Sequence, residues 1–162
     1  KERAAATALI DQGADVIGQH VDSPTPQIVA QERGVHGTGH HRDMSEFAPE
    51  ATVCSSVWVW DRFLAPELKK IMAGNWVPAE HGALLSMEQG GTDVACCGKG
   101  IDEEEKAKIM AAREELLNGE KLIYAGPIAD RDGNVKAAEG EALSDAELWS
   151  MDWFVKGVIT QQ

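Results

Sequence analysis

The sequence is poor in cysteine and in positive charge. It has three cysteines, Cys54 and the adjacent pair Cys96-Cys97. The count is odd and no Cys-x-x-Cys spacing occurs, so neither a metal-ligand nor a dithiol redox pattern is present. Buried free thiols are the expected state of all three. Fifteen Lys and Arg stand against 27 Asp and Glu, a net charge of −12. That balance argues against nucleic acid, which needs a basic footprint, and against an anionic membrane surface; its plain consequence is solubility. No apolar run approaches the roughly 20 residues that span a bilayer. Gly-x-Ser-x-Gly, a Walker loop and His-Glu-x-x-His are all missing, and so is any internal repeat or Ser/Gly linker. Gly34-Val-His-Gly-Thr-Gly39 contains a Gly-x-Gly but opens no glycine-rich helix, so a dinucleotide site is not indicated. The chain opens on Lys1-Glu-Arg-Ala-Ala-Ala6, without an initiator Met or a secretory pattern and in the middle of a helix-like run. A processed or truncated chain is expected, and the compartment is not readable from this end.

At 162 residues, 43% hydrophobic and 26% charged, the chain has the material for one ordinary soluble domain with a real core. Helix and strand signals alternate. A helix over 2–12 stops at Gly13, and Val16-Ile17 is a strand core. A short helix over 24–31 closes near Gly34, and a second strand covers 35–39. A third strand runs over 51–57. A helix over 61–73 follows, with Leu64, Leu68, Ile71 and Met72 at helical spacing and Gly74 at its end. Alternation with short connections predicts parallel strands and right-handed crossovers. Beyond residue 75 the pattern changes. Trp76–Pro78 and Ala83–Leu85 read as edge strands and Asp93–Cys96 as a further strand. Asp102-Glu-Glu-Glu105 opens a helix to Leu117 with a capping-box-like start. Residues 121–125 and 128–129 read as extended, and Asp130-Arg-Asp-Gly133 as a hairpin tip before Val135. Ser144-Asp-Ala-Glu147 opens a last short helix carrying Leu148 and Met151.

Two stretches carry the functional reading. Gln19, His20, Asp22 and Ser23 follow the first strand, and Trp58 and Trp60 follow the third. In open α/β sheets, ligands bind beyond the carboxyl ends of the strands. Polar edge-readers and flat aromatic faces in that place suit a planar, heteroatom-rich ligand such as a purine. Each residue also has a structural reading. Gln19 and His20 can cap the loop, and Asp22 can cap the helix from Pro24. Trp58 and Trp60 can be core packing, and Met87 can be plain core. The pair His40-His41, with His20 and His36, raises a metal site, since imidazole suits zinc, copper or nickel. The spacings do not favour it. Cys54 beside a histidine could form a thiol–imidazole pair, but it lies in a strand-like run where cysteines are inert.

Read in order, Ala8-Leu-Ile-Asp-Gln-Gly-Ala-Asp-Val-Ile17, Gln19-His-Val-Asp-Ser-Pro24, Phe47-Ala-Pro49, Gly126-Pro-Ile-Ala-Asp-Arg-Asp-Gly133 and Leu148-Trp-Ser-Met-Asp-Trp-Phe-Val-Lys-Gly157 resemble the C-terminal part of the basic membrane protein (BMP) family. These are substrate-binding lipoproteins of ABC importers, similar to purine nucleoside receptors. The resemblance implies a type 1 periplasmic-binding-protein-like α/β fold: a parallel-sheet lobe with helices on both faces, plus C-terminal elements that return to the other lobe, in an incomplete chain. Residues 1–75 would belong to the C-terminal lobe, lacking its first strand. Residues 76–162 would supply the remainder of that lobe, a hinge crossing and segments packing on the missing N-terminal lobe. The implied ligand-binding set is Gln19, His20, Asp22, Ser23, His41, Trp58, Trp60 and Met87. Where many members carry an acid after the second strand, this chain has His40-His41. Where many carry Lys or Asn, it has Trp58 and Val59. Those departures point away from ribose and toward a free base.

The expected function is therefore that of an extracytoplasmic solute-binding component of an ABC importer, taking a purine base or nucleoside in an interlobe cleft by domain closure. Its partners would be the ligand, a membrane permease and the missing lobe, without nucleic acid. No cofactor, metal or catalytic residue is expected. The implied location is periplasmic or a cell-surface lipoprotein. The alternatives are a metal- or thiol-dependent enzyme using the His and Cys set, and a ligand sensor without transport.

Overall fold

Three parallel strands form the centre of the first structural unit, and the reason they lie so close to their helices is glycine. The computed structural model describes residues 1–159. Helix α1 (Glu2–Asp11) ends ahead of Gly13, which adopts φ 99°. Strand β1 (Val16–Gly18) pairs in parallel with β2 (His36–His41), and β2 in parallel with β3 (Thr52–Trp58). Helix α2 (Thr25–Arg33) connects the first two and stops at Gly34 in the left-handed region, φ 69°. The parallel arrangement and the order β1-β2-β3 agree with the α/β alternation in the sequence. A short antiparallel strand β4 (Thr92–Cys96) completes the sheet.

Gln27 of α2 is fully buried. Its Nε2 donates to the carbonyls of Ile17 and Thr38, at 3.3 and 3.0 Å. A Cβ at Gly37 would overlap the Gln27 amide, and a Cβ at Gly39 would overlap Ser55 and Met44. The Gly-x-Gly of this chain is thus a packing device. It lets α2 and a single 3-10 turn (Met44–Glu46) reach the sheet. Met44 is fully buried there, with its N–H donating to Ser55 Oγ at 3.0 Å. The adjoining apolar core is Ile17, Ala30, Ala48 and Ala51, with Ile10, Ala14 and Val35 packed against it.

Helix α3 (Trp60–Met72) carries the expected stripe, yet Leu64, Leu68 and Ile71 are all exposed. Helix α4 (Glu103–Leu117) starts as the sequence indicates: Asp102 accepts from the Glu105 N–H at 2.8 Å, and Glu105 reaches back to the Asp102 N–H. Arg113 of α4 grips Asp93 of β4 through two bonds of 2.6 and 2.7 Å, which holds that carboxyl below its usual range. This first unit comprises Lys1–Trp76 and Leu85–Leu117.

The second unit comprises Val77–Leu84 and Asn118–Gln162. Strands β5 (Ile128–Ala129) and β6 (Val135–Ala137) form the expected antiparallel hairpin, with Gly133 at φ 90° in the turn. Helix α5 (Asp145–Trp149) opens on a complete capping box between Ser144 and Glu147. Met151 lies beyond its end.

Several expectations fail. Residues 76–78 and 83–85 form no strand: Pro78 cannot donate to a ladder, and neither segment has a strand neighbour. Residues 121–125 form a turn whose extended part is reduced to an isolated bridge from Ala125 to Ala142. The cysteines are not three buried thiols. The sulfurs of Cys96 and Cys97 are joined, and Cys54 is free and half-buried. Asp22 does not cap α2, whose N-cap is Pro24; the Thr25 N–H bonds to Ser23 Oγ instead, at 3.3 Å.

Candidate functional site at the strand tips

Parallel strands end on the same side of a sheet, so the residues after β1, β2 and β3 are delivered to one place. There the rings of His20 and His40 stack, with centroids 4.2 Å apart and planes 27° from parallel. The edge of Trp58 meets His40 at 6.0 Å in a T-shaped contact of 84°. His41 lies 6.2 Å from His40, and Trp60 lies 6.2 Å from Trp58. Five aromatic rings are therefore linked in one cluster. Both indoles keep about half of their surface open, at 44% and 53%.

Local structure explains the convergence. Side chains alternate along a strand, and the register sets His40 opposite Ser56. Their side chains meet, His40 Nδ1 to Ser56 Oγ, at 3.2 Å. Strand β3 ends at Trp58 and helix α3 begins at Trp60, so the backbone turns at Val59. The two indoles stay adjacent across that turn, with ring centroids 6.2 Å apart. His41 takes φ 76°, an uncommon left-handed conformation for a non-glycine residue, at the point where β2 ends.

The electrostatics favour a neutral His40. Loss of solvent pushes the His40 pKa below its ordinary value. The neighbouring His20 and His41 add to this, and Asp22 acts in the opposite direction. A neutral imidazole both donates and accepts, so the cluster can read a heteroatom edge as well as offer flat faces.

The other candidates have more local roles. Gln19 Nε2 donates to the carbonyls of Val21 and Ser23, at 2.9 and 3.2 Å, which makes Gln19 the clamp of its own loop. Its Oε1 is nonetheless buried without a hydrogen-bond partner. The Ser23 hydroxyl donates to the Glu2 carboxylate at the start of α1. Met87 is 7% exposed and serves as core. Asp22 is exposed and bears on the cluster through its charge. His40, the hub, stood in the sequence only as half of a His-His pair. Strand alternation was the signal that would have separated it from His41.

Among the described residues, no three His, Cys, Asp or Glu side chains are grouped to hold a metal ion. Burial pushes the Cys54 thiol up, opposite to the activation a nucleophilic cysteine needs. No helix among the described residues is long and apolar enough to cross a membrane.

Comparison with known proteins gives a consistent picture. The family described as ABC transporter substrate-binding protein, PnrA-like, matches residues 1–127. A Haloferax volcanii protein named "Putative ABC transporter glucose-binding protein TsgA13" is 36% identical over 158 residues, 96% of this chain and 37% of that protein. A purine-binding protein of Brucella abortus is 34% identical over 159 residues, 98% of this chain and 44% of that protein. The chain thus spans about two fifths of the length of these relatives. Among solved structures, a transcriptional activator of the comK gene from Bacillus halodurans superposes with a TM-score of 0.58 at 13% identity, over 74% of this chain and 42% of that one. It shares the fold.

Proposed function

This chain belongs to the Bmp family of PnrA-like ABC transporter substrate-binding proteins, and from that premise we propose that its full-length form binds a purine base, or a similar flat heterocycle, at the tips of β1–β3. The observation that carries this reading is the linked cluster of His20, His40, His41, Trp58 and Trp60 at the carboxyl ends of three parallel strands. Indole faces stack on a planar ring at roughly 1–3 kcal/mol per base. The imidazoles and the unpartnered Gln19 Oε1 complement ring and exocyclic N–H groups. The name of the Brucella abortus relative supports the same ligand class.

In this reading the protein acts by domain closure and performs no bond chemistry. It captures the ligand outside the cytoplasm and presents it to a membrane permease. Residues 1–75 belong to the C-terminal lobe. Residues 76–162 complete that lobe, cross the hinge and supply segments for the N-terminal lobe. A sugar is the second reading, favoured by the name of the Haloferax volcanii relative, since aromatic faces also pack on pyranose rings. Calorimetric titration of the full-length protein with adenine, guanine, hypoxanthine, their nucleosides and glucose separates the two. Tight binding of a base with no heat from glucose is expected; tight glucose binding with silent bases would transfer the site to sugars.

A further inference from the structure

We propose that the stacked His20–His40 pair is a proton-operated switch on the ligand site, closed as a flat neutral surface and split when both rings take up protons in mild acid. The inference rests on the strand tips being the ligand site and adds how that site is regulated. Its basis is geometric. Two imidazoles 4.2 Å apart and nearly parallel can share one positive charge. Holding two in that geometry is disfavoured, because like charges at such a distance repel.

The surroundings of the pair are sparse. The loop after β1 brings His20 itself and the Asp22 carboxylate; β2 adds His41; β3 presents only the neutral Ser56 and Trp58. Asp22 is the anion whose charge opposes the downward shift of His40. It is exposed, so its help is screened by solvent. Among the described residues of the first unit, no carboxylate is buried to compensate a second proton.

The mechanical consequence follows from the contacts. His40 is the ring on which both His20 and the Trp58 edge rest. Repulsion between His20 and His40 removes the exposed ring of the two, His20, from the stack. The cluster shrinks to His40, His41 and the indoles, and a planar ligand loses the ring of His20. The ligand is therefore held at neutral pH and released in mild acid.

The test uses the full-length protein and two readouts. In the first, the ring protons of the histidines are followed by NMR from about pH 8 to about pH 4.5, around the ordinary value of about 6.5. His36, at the far end of β2, reports behaviour outside the cluster. Two separated steps for the pair are expected. Independent single titrations of both at the ordinary value overturn the switch. In the second, adenine, neutral across this range, is titrated at about pH 7.5 and about pH 5. Wild-type affinity is expected to fall roughly tenfold or more, and His20→Gln and His40→Gln each to cut that response to under about threefold. Variants that keep the full wild-type response overturn the proposal. If adenine binds at neither pH, the purine reading fails, and the switch stands or falls on the ring titrations alone.

Discussion

At the residue scale, the candidate cluster turns on His40, whose neutral form the structure favours. His40 has its pKa lowered by burial and by its histidine neighbours. The sign is therefore fixed: the neutral ring's contribution to folding is present above its unfolded value of about 6.5. It is lost as pH falls through the lower folded value. The same scale explains Gly39. A methyl group there would press on Ser55 and Met44, both fully buried. Gly39→Ala should cost about 1–3 kcal/mol by overpacking, read as a lower urea midpoint at unchanged slope. A loss below about 0.5 kcal/mol would mean that Met44 moves freely aside. The site was partly legible in the sequence. His20, Trp58 and their place after strands could be read from residue order alone. The central place of His40 needed strand alternation as well, which puts His40 and His41 on opposite faces, and which face meets His20 is decided by the fold. The bonding partners of Gln19 and Ser23, the carbonyl of Val21 and the carboxylate of Glu2, were not legible, because they are fixed by loop path rather than by composition.

At the element scale, local signals worked where they were self-contained. The glycines after α1 and α2, the Asp102–Glu105 start of α4 and the Ser144–Glu147 box of α5 all stand where the sequence placed them. The signals failed where a strand needs a neighbour. Trp76–Pro78 and Ala83–Leu85 have strand-like composition and no partner. The β5–β6 hairpin makes the strongest element-scale prediction. Asp130 is nearly buried, at 6% exposed. Its carboxylate accepts from the N–H groups of Asp132 and Asn134 and from Asn134 Nδ2, with the Lys136 ammonium 3.3 Å away. The Asn134 bonds, with Lys136 adding to them, lower its pKa to about 2. A carboxylate whose folded value is depressed stabilises above its unfolded value of about 3.9 and loses that contribution as pH falls through the folded one. The hairpin amides should stay protected from exchange down to about pH 4 and lose protection between there and about pH 2. Asp130→Asn should abolish that acid transition. An unchanged transition in Asp130→Asn would assign it to another carboxylate.

At the scale of the whole molecule, the chain behaves as part of something larger. It spans 37% and 44% of the two curated relatives. Its α3 helix presents Leu64, Leu68, Ile71 and Met72 to solvent, the last 87% exposed. An exposed apolar stripe of that kind suits a contact surface. The 162-residue chain by itself should bind an apolar-surface dye and associate with rising concentration in sedimentation experiments. A dye-silent monomer would mean that the stripe is covered within these residues. The family and the α/β fold were legible because their motifs lie along the whole chain, whereas the ligand was not, because the two curated relatives carry different ligand names over the same residues. The central claim is that a flat base rests on the aromatic cluster at the strand tips, with Trp58 as its principal face. The most direct measurement is the adenine affinity of the full-length protein against that of Trp58→Ala. A weakening of about 5- to 150-fold, the equivalent of one stacked base, is expected with the fold intact by circular dichroism. An affinity within twofold of wild type, or no adenine binding by the wild type, would contradict it.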